Sequence, residues 1–186
     1  MTRLQQLSTV MTAMSLAALL LPAAPAWAKM SSTASISSAD RTFMMKASEA
    51  NVGEIDAGKL AEKRAVTKSA RLLGKRFVDN HTVNEQKLEI LAQKVGLALP
   101  MHPTANARAQ AQALASRPGL AFDKAFVRDE EADHAKVIAA FQHEISGGSD
   151  PAVIAYAKAS LPVLEEHLIL ATDDAGRLRM MPSESH

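Results

Sequence analysis

The chain has 186 residues, 21 Lys+Arg against 20 Asp+Glu, 47% hydrophobic but only 4% aromatic residues, and no cysteine. Balanced charge leaves no basis for holding nucleic acid by bulk electrostatics, and the missing cysteines exclude disulfides and a lipid anchor on an N-terminal cysteine. Ala-rich, aromatic-poor and Gly-poor composition favours helices, no alternating β-branched run offers a strand, and the length suits one domain.

At the start, Arg3 is followed by an apolar run from Val10 to Leu21, then Pro22, Pro25 and Ala26-Trp27-Ala28. A basic start, a short hydrophobic stretch and a small-x-small triplet read as a secretory signal peptide over residues 1–28. Cleavage is expected after Ala28, with the Ala24 and Ala26 positions as alternatives. The run is too short for a good membrane span. The mature chain is therefore expected in a bacterial periplasm or secreted, without a transmembrane span; an uncleaved anchor is the alternative. Residues 29–38 are rich in Ser, Thr and Ala without periodicity and read as a flexible lead-in.

The bundle domain is expected over 39–178. Its first helix spans about Ala39 to Ala65, capped by Ser37 or Ser38, with a stripe Phe43, Ala47, Ala50, Glu54, Ala57 and Ala61. A second stripe through Met45, Val52, Ile55 and Lys59 competes with it, so the core face could lie between the two. Gly53 and Gly58 would let another helix approach closely. Thr67 caps a second helix that ends near Val95, with Gly96 beyond it, and whose stripe is Leu73, Phe77, His81, Asn84, Leu88, Leu91 and Val95. A minor helix over Ala105–Ala115, bounded by Pro103 and Arg117-Pro118-Gly119, fills the longer connection. The third long helix, about Ala121 to Ser146, carries Phe122, Phe126, Glu130, His134, Val137, Phe141 and Ile145. Asp150-Pro151 opens the fourth, with Ile154, Ala157, Leu161, Leu164, His167 or Leu168, and Ala171 on its stripe and Pro162 inside it. Residues 179–186 read as a frayed tail. Four amphipathic helices with two short junctions make an all-α, up-down four-helix bundle.

Polar residues interrupt each apolar stripe half-way. Glu54 lies 12 residues before a junction at Val66 and His81 lies 15 after it; His134 lies 15 before a junction at Ser149 and His167 lies 18 after it. At about 1.5 Å per residue all four fall within roughly one turn of a common level. Three imidazoles and a carboxylate are the donor types that hold iron, manganese or zinc, so Glu54, His81, His134 and His167 are the candidate metal ligands. Glu49, Glu85, Glu130 and Glu131 lie within a turn as second candidates, and so does Glu166. Glu131-x-x-His134 repeats a spacing used in di-iron carboxylate bundles, and Asp79 and Asp133 could orient a histidine from behind. The competing reading makes each histidine a hydrogen-bonded core residue and each glutamate a solvated edge. Met44, Met45, Met180 and Met181 read as core filler or end cover rather than a metal-handling group.

Phe43…Ala47…Glu54…Gly58-Lys59-Leu60-Ala61, then Phe77-Val78-Asp79-Asn80-His81, Leu97-x-Leu99-Pro100, Phe122-Asp123-x-x-Phe126, Asp133-His134 and Leu161-Pro162-x-Leu164-x-x-His167 together resemble the family called domain of unknown function 4142. The resemblance covers nearly all of the expected mature chain. It implies a ferritin-like helical bundle, export from a bacterial cytoplasm and a polar layer in the bundle core. Members are often labelled outer-membrane proteins, but this sequence offers no run of strands for a barrel. The family's usual Asp-His in the second helix is Asn80-His81 here. Glu-x-x-His occurs only at Glu131–His134, and Val78 and Leu164 stand where other helices of a dinuclear centre would need carboxylates. A mononuclear site suits that donor count better, and the family brings no established reaction.

The leading expectation is an exported bundle that binds one transition-metal ion for storage, sensing or envelope stress protection, with no catalytic residues assigned. A metal-free structural or interaction module of the cell envelope is the alternative. A metal-dependent oxidase or peroxidase ranks below both, and a homo-oligomer is compatible with all three.

Overall fold

The computed structural model describes residues 36–181. The expected leader over 1–28, residues 29–35 of the lead-in and residues 182–186 of the tail lie outside the described residues. Five helices and no strand make up the rest: α1 Ser38–Arg64, α2 Lys68–Lys94, α3 Ala105–Ala115, α4 Gly119–Gly147 and α5 Pro151–Met180. Their starts follow from local chemistry. The side chains of Ser37, Thr67, Thr104 and Asp150 accept hydrogen bonds from the first-turn amides of α1, α2, α3 and α5, groups that have no partner inside a helix. Gly96, at φ 64°, ends α2 in a conformation costly for other residues. Helix α4 starts two residues before the expected Ala121, because Gly119 turns the chain at φ 49° directly after Pro118. Helix α5 runs beyond residue 178 to Met180, with Leu178 buried.

Two buried aspartates fix the arrangement of the hairpins. Asp123, in the first turns of α4, accepts hydrogen bonds from Val66 N at 3.1 Å, Thr67 N at 2.7 Å and Thr67 Oγ1 at 2.6 Å, all in the α1–α2 junction. Asp40, in the first turn of α1, accepts from Ser149 N at 2.9 Å and Asp150 N at 3.1 Å, in the α4–α5 junction. The two junctions therefore lie at opposite ends of the bundle. Each hairpin is antiparallel, and the segment containing α3 carries the chain back so that α4 runs in the same direction as α2. On its way α3 packs against α1 and α4.

Gly58 and Gly74 set the spacing of the first hairpin. A Cβ on Gly58 would meet Gly74 O at 2.6 Å, and one on Gly74 would meet Gly58 O at 2.7 Å. Gly53, the other glycine expected to admit a helix, faces only Ala107 Cβ at 4.0 Å.

The apolar core comes in two parts. One, around Phe77, Phe122, Phe126 and Leu178, lies toward the α1–α2 junction. The other, around Phe43, Met44, Leu88, Phe141 and Tyr156, lies toward the α4–α5 junction. Between them runs a buried polar layer. The buried face of α1 passes through Phe43, Ala47, Asn51, Glu54, Gly58 and Ala61. It thus turns in Asn51 and Gly58 where the sequence stripe used Ala50 and Ala57. Of the alternative stripe, Met45 and Lys59 are exposed and Val52 and Ile55 half-buried, and with Met44, Ser48 and Asn51 buried the core face lies between the two stripes. On α2 the buried residue after His81 is Glu85, with Asn84 half-buried beside it; on α5 the inward residue is His167, and Leu168 is half-buried. Val153 and Ser160 take the inner positions assigned to Ile154 and Leu161, Tyr156 is buried beside the expected Ala157, and Ile138 lies deeper than Val137. These are one-residue rotations within a correct helix. They arise because a 3.6-residue period can be read with either a three- or a four-residue step at each turn.

Candidate metal centre

His81 from α2, His134 from α4 and His167 from α5 converge in the polar layer, each no more than 2% exposed. One ligand nitrogen of each lies within 4.8 Å of the other two. Their ring centroids are 5.1–5.7 Å apart. Phe77, one turn before His81 on α2, covers all three, at 4.7 Å from His167, 4.8 Å from His134 and 6.0 Å from His81. That ring excludes water from one side of the cluster and joins it to the lower apolar core.

Hydrogen-bond partners settle the protonation of each ring in turn. Glu85 accepts from Ser48 Oγ and, at 2.9 Å, from Asn51 Nδ2. A carboxylate with both oxygens accepting turns the amide nitrogen of Asn51 toward itself and leaves Asn51 Oδ1 facing His81 Nδ1 at 3.0 Å. His81 Nδ1 therefore carries the hydrogen, and Nε2 carries a lone pair. That Nε2 is buried and has no hydrogen-bond partner. Asn84 Nδ2 also donates to Asn51 Oδ1, at 3.3 Å, and the other end of that amide, Asn84 Oδ1, accepts from Ser160 Oγ at 2.6 Å. The other two rings form a chain. Asn80 Nδ2 meets His167 Nε2 at 3.0 Å, His167 Nδ1 meets His134 Nε2 at 3.2 Å, and His134 Nδ1 meets the Glu130 carbonyl at 3.0 Å. With the carbonyl as fixed acceptor, each Nδ1 donates and each Nε2 accepts along this chain.

Two of the rings, His81 and His167, are held neutral by their surroundings. Burial, then the neighbouring His167 and His134, hold His81 well below the ordinary imidazole value. Burial, then His134 and Arg76, bring His167 down to about 3. Neutral imidazole is the form that binds a transition metal. The 3.2 Å between His134 Nε2 and His167 Nδ1 is also close to the roughly 3.4 Å that separates two nitrogens about 2.1 Å from one tetrahedral ion. A metal on His167 Nδ1 would need the hydrogen moved to Nε2. Asn80, half-buried, can accept it by turning its amide over.

Glu54 is brought to the layer but not to this triad. It groups with Glu130 and His134, with one ligand atom of each within 4.8 Å. Glu130 Oε2 lies 3.6 Å from His134 Nδ1, the ring nitrogen remote from His167. The four-residue set expected from the sequence thus divides into two triads that share His134, one on each edge of its ring.

Of the second candidates, Glu130 joins Glu54, and Glu85 acts on His81 through Asn51. Glu49 is half-buried outside the core, and Glu131 accepts from Thr172 Oγ1 at 3.1 Å on the outer α4–α5 face. The Glu131-x-x-His134 spacing therefore does not pair two ligands, because a three-residue step takes the side chain off the buried seam; Glu130, four residues before His134, is on it. Asp79 and Asp133 do not orient the histidines. They pair with Lys75 at 2.8 Å and Lys136 at 2.7 Å. Glu166 pairs with Arg76 at the surface. The orienting groups are Asn51, Asn80 and a main-chain carbonyl. Asn51 escaped the sequence reading: four residues after Ala47 and three before Glu54, it fits the stripe's spacing no better than Ala50 does.

A family profile described as Domain of unknown function (DUF4142) matches residues 25–173. Among solved structures, the crystal structure of a DUF305 fragment from Deinococcus radiodurans is similar, with a TM-score of 0.68 and 15% identity, over 76% of this chain and 98% of that one. At that identity the likeness speaks for the helical fold alone. No curated protein matches.

Proposed function

The chain belongs to the domain of unknown function 4142 family, and from that premise we propose that it is an exported helical-bundle protein that binds one transition-metal ion through His81, His134 and His167. The observation that carries this reading is His81 Nε2, a nitrogen buried without a partner on a ring that groups with two further imidazoles. Leaving such a group unpaired in a core costs about 1–3 kcal/mol, which a bound cation would recover. The Glu85–Asn51 pair behind His81 is the kind of support that keeps a ligand ring in its binding tautomer.

Three imidazoles suit zinc or iron, and manganese less well. When bound, the ion would supply a fixed positive charge and a coordination position left open by the protein. The residues would hold it, exclude water through Phe77 and fix ring orientation through Asn51 and Asn80. Storage, sensing or protection of the envelope fits this better than turnover. No helix among the described residues is long and apolar enough to cross a membrane. The basic start, apolar run and Ala26-Trp27-Ala28 support export to a periplasm or medium, with cleavage after Ala28.

A second reading, a metal-free structural or interaction module, draws on the Asn80–His167–His134–Glu130 chain, which satisfies two rings without an ion. Metal analysis of protein purified without chelator, beside a His81→Ala/His134→Ala variant, separates the two. About one equivalent of zinc or iron in the wild type and none of either in the variant supports the metal reading. Background metal in both, with a melting temperature unmoved by chelator, supports the other.

A further inference from the structure

We propose that Glu54 and Glu130 form a second cation site, for a hard divalent ion such as Mn²⁺ or Mg²⁺, reached from solvent through the groove between α1 and α4 beneath α3. This site lies across the His134 ring from the three-imidazole cluster. The two Oε2 atoms carry the case. Glu54 and Glu130 are 8% and 5% exposed, and the Oε2 of each is buried with no hydrogen-bond partner. Two facing carboxylates with unoccupied oxygens in a core are unfavourable unless a proton or a cation lies between them.

The groove of about 280 Å³ has Glu54 and Glu130 among its lining residues. Its wall carries five carboxylates, Glu49, Glu54, Asp129, Glu130 and Asp133, against two lysines, Lys46 and Lys136. Two of those acids, Asp129 and Asp133, already pair with Arg128 and Lys136. The excess negative charge favours cation entry. Helix α3 contributes small side chains to the roof, Ala107 and Ala111 among them, and Gly53 opposite leaves its Cβ position open to 4.0 Å. Hard oxygen donors with space for retained water suit manganese or magnesium, whereas the imidazoles on the other edge of His134 suit zinc or iron. His134 Nδ1 donates to the Glu130 carbonyl, so in this arrangement its lone pair faces the imidazole side and the carboxylates bind with water as their remaining partner.

The inference extends the proposed metal reading but stands on different atoms, so its test is separable. Mn²⁺ is titrated into chelator-treated full-length protein, and the loss of the free-ion paramagnetic resonance signal is followed. The wild type and His81→Ala are expected to take up one equivalent with similar affinity, and Glu54→Gln/Glu130→Gln to bind at least tenfold more weakly. The double Gln variant keeps side-chain shape and removes buried charge, so it is expected to fold at least as stably. Equal Mn²⁺ uptake by the double Gln variant, or none by the wild type, overturns the proposal. A parallel Zn²⁺ titration reads the imidazole site: zinc affinity unchanged by His81→Ala would sink that reading and leave the manganese result standing.

Discussion

Asn51→Leu is the substitution that most directly tests how the histidine layer is organised. Leucine has nearly the shape of asparagine and keeps the helix, but removes every polar contact at the position. His81 Nδ1 loses its acceptor at 3.0 Å, Glu85 Oε2 loses its donor at 2.9 Å, Tyr156 Oη loses a donor at 3.4 Å, and Asn84 Nδ2 loses an acceptor at 3.3 Å. Each buried group left unpaired costs about 1–3 kcal/mol. Asn84 is half-buried and can turn to water, and the Tyr156 contact is the longest of the four, so the losses at His81 and Glu85 dominate. Allowing about 1 kcal/mol for the apolar surface leucine adds, the net loss is about 1–5 kcal/mol. For a domain of this size that lowers the melting temperature by roughly 3–20 °C. The second consequence concerns the tautomer: with no oxygen to hold its hydrogen on Nδ1, His81 ceases to present Nε2 as a lone pair, and affinity at the cluster falls about 10- to 100-fold. Urea unfolding gives the first quantity, ¹⁵N spectroscopy of the imidazoles the tautomer, and zinc titration the affinity. Asn51→Asp is the contrast: its carboxylate still accepts from His81 and should spare the tautomer, at a stability cost from facing Glu85. If Asn51→Leu loses less than about 1 kcal/mol and His81 keeps its Nδ1 hydrogen, the reasoning about this network is wrong.

Other consequences are independent of metal. Gly58→Ala places a Cβ 2.6 Å from Gly74 O and should cost about 2 kcal/mol or more in urea unfolding. Gly176→Ala, with nothing within 4 Å, should stabilise by up to about 1 kcal/mol; equal effects at both sites would refute the close-packed hairpin. Asp123→Ala removes three hydrogen bonds from the α1–α2 junction and should cost about 2–4 kcal/mol, with hydrogen exchange rising first at Val66 and Thr67. Burial, then the hydrogen bond and charge of Asp40, raise Glu144 to about 7. The folded state thus holds a proton that the unfolded chain releases near its ordinary value of 4.5. That contribution is complete below about pH 4.5 and is lost as the pH rises through about 7, amounting to roughly 1–3 kcal/mol. Glu144→Gln should flatten this fall between pH 5 and 8, and an unchanged slope would count against the Asp40–Glu144 pair.

The bundle was legible because its signals are local. Ser37, Thr67 and Asp150-Pro151 mark helix starts through their own side chains, Gly96 marks a stop, and the minor helix over Ala105–Ala115 is bounded by Pro103 and Pro118. The convergence of His81, His134 and His167 was legible too, since heights along paired helices follow from residue counts. The rotation of each helix was less so. Nothing in the order of residues decides between Ala50 and Asn51, or between Asn84 and Glu85, until the neighbouring helix is present. That ambiguity hid Asn51, and it set Glu54 in one group with the three imidazoles when its partner is Glu130. Asp79 and Asp133 misled because closeness in sequence is not closeness on a helix: one residue from His134 points Asp133 about 100° away, and two residues from His81 point Asp79 about 160° away.

The most direct test of the central claim is X-ray absorption at the zinc edge on protein reconstituted with one equivalent of zinc. A first shell with three imidazole nitrogens at about 2.0–2.1 Å, losing one imidazole in His81→Ala, is the predicted result. A shell of oxygens alone, or a spectrum that His81→Ala leaves unchanged, would contradict it.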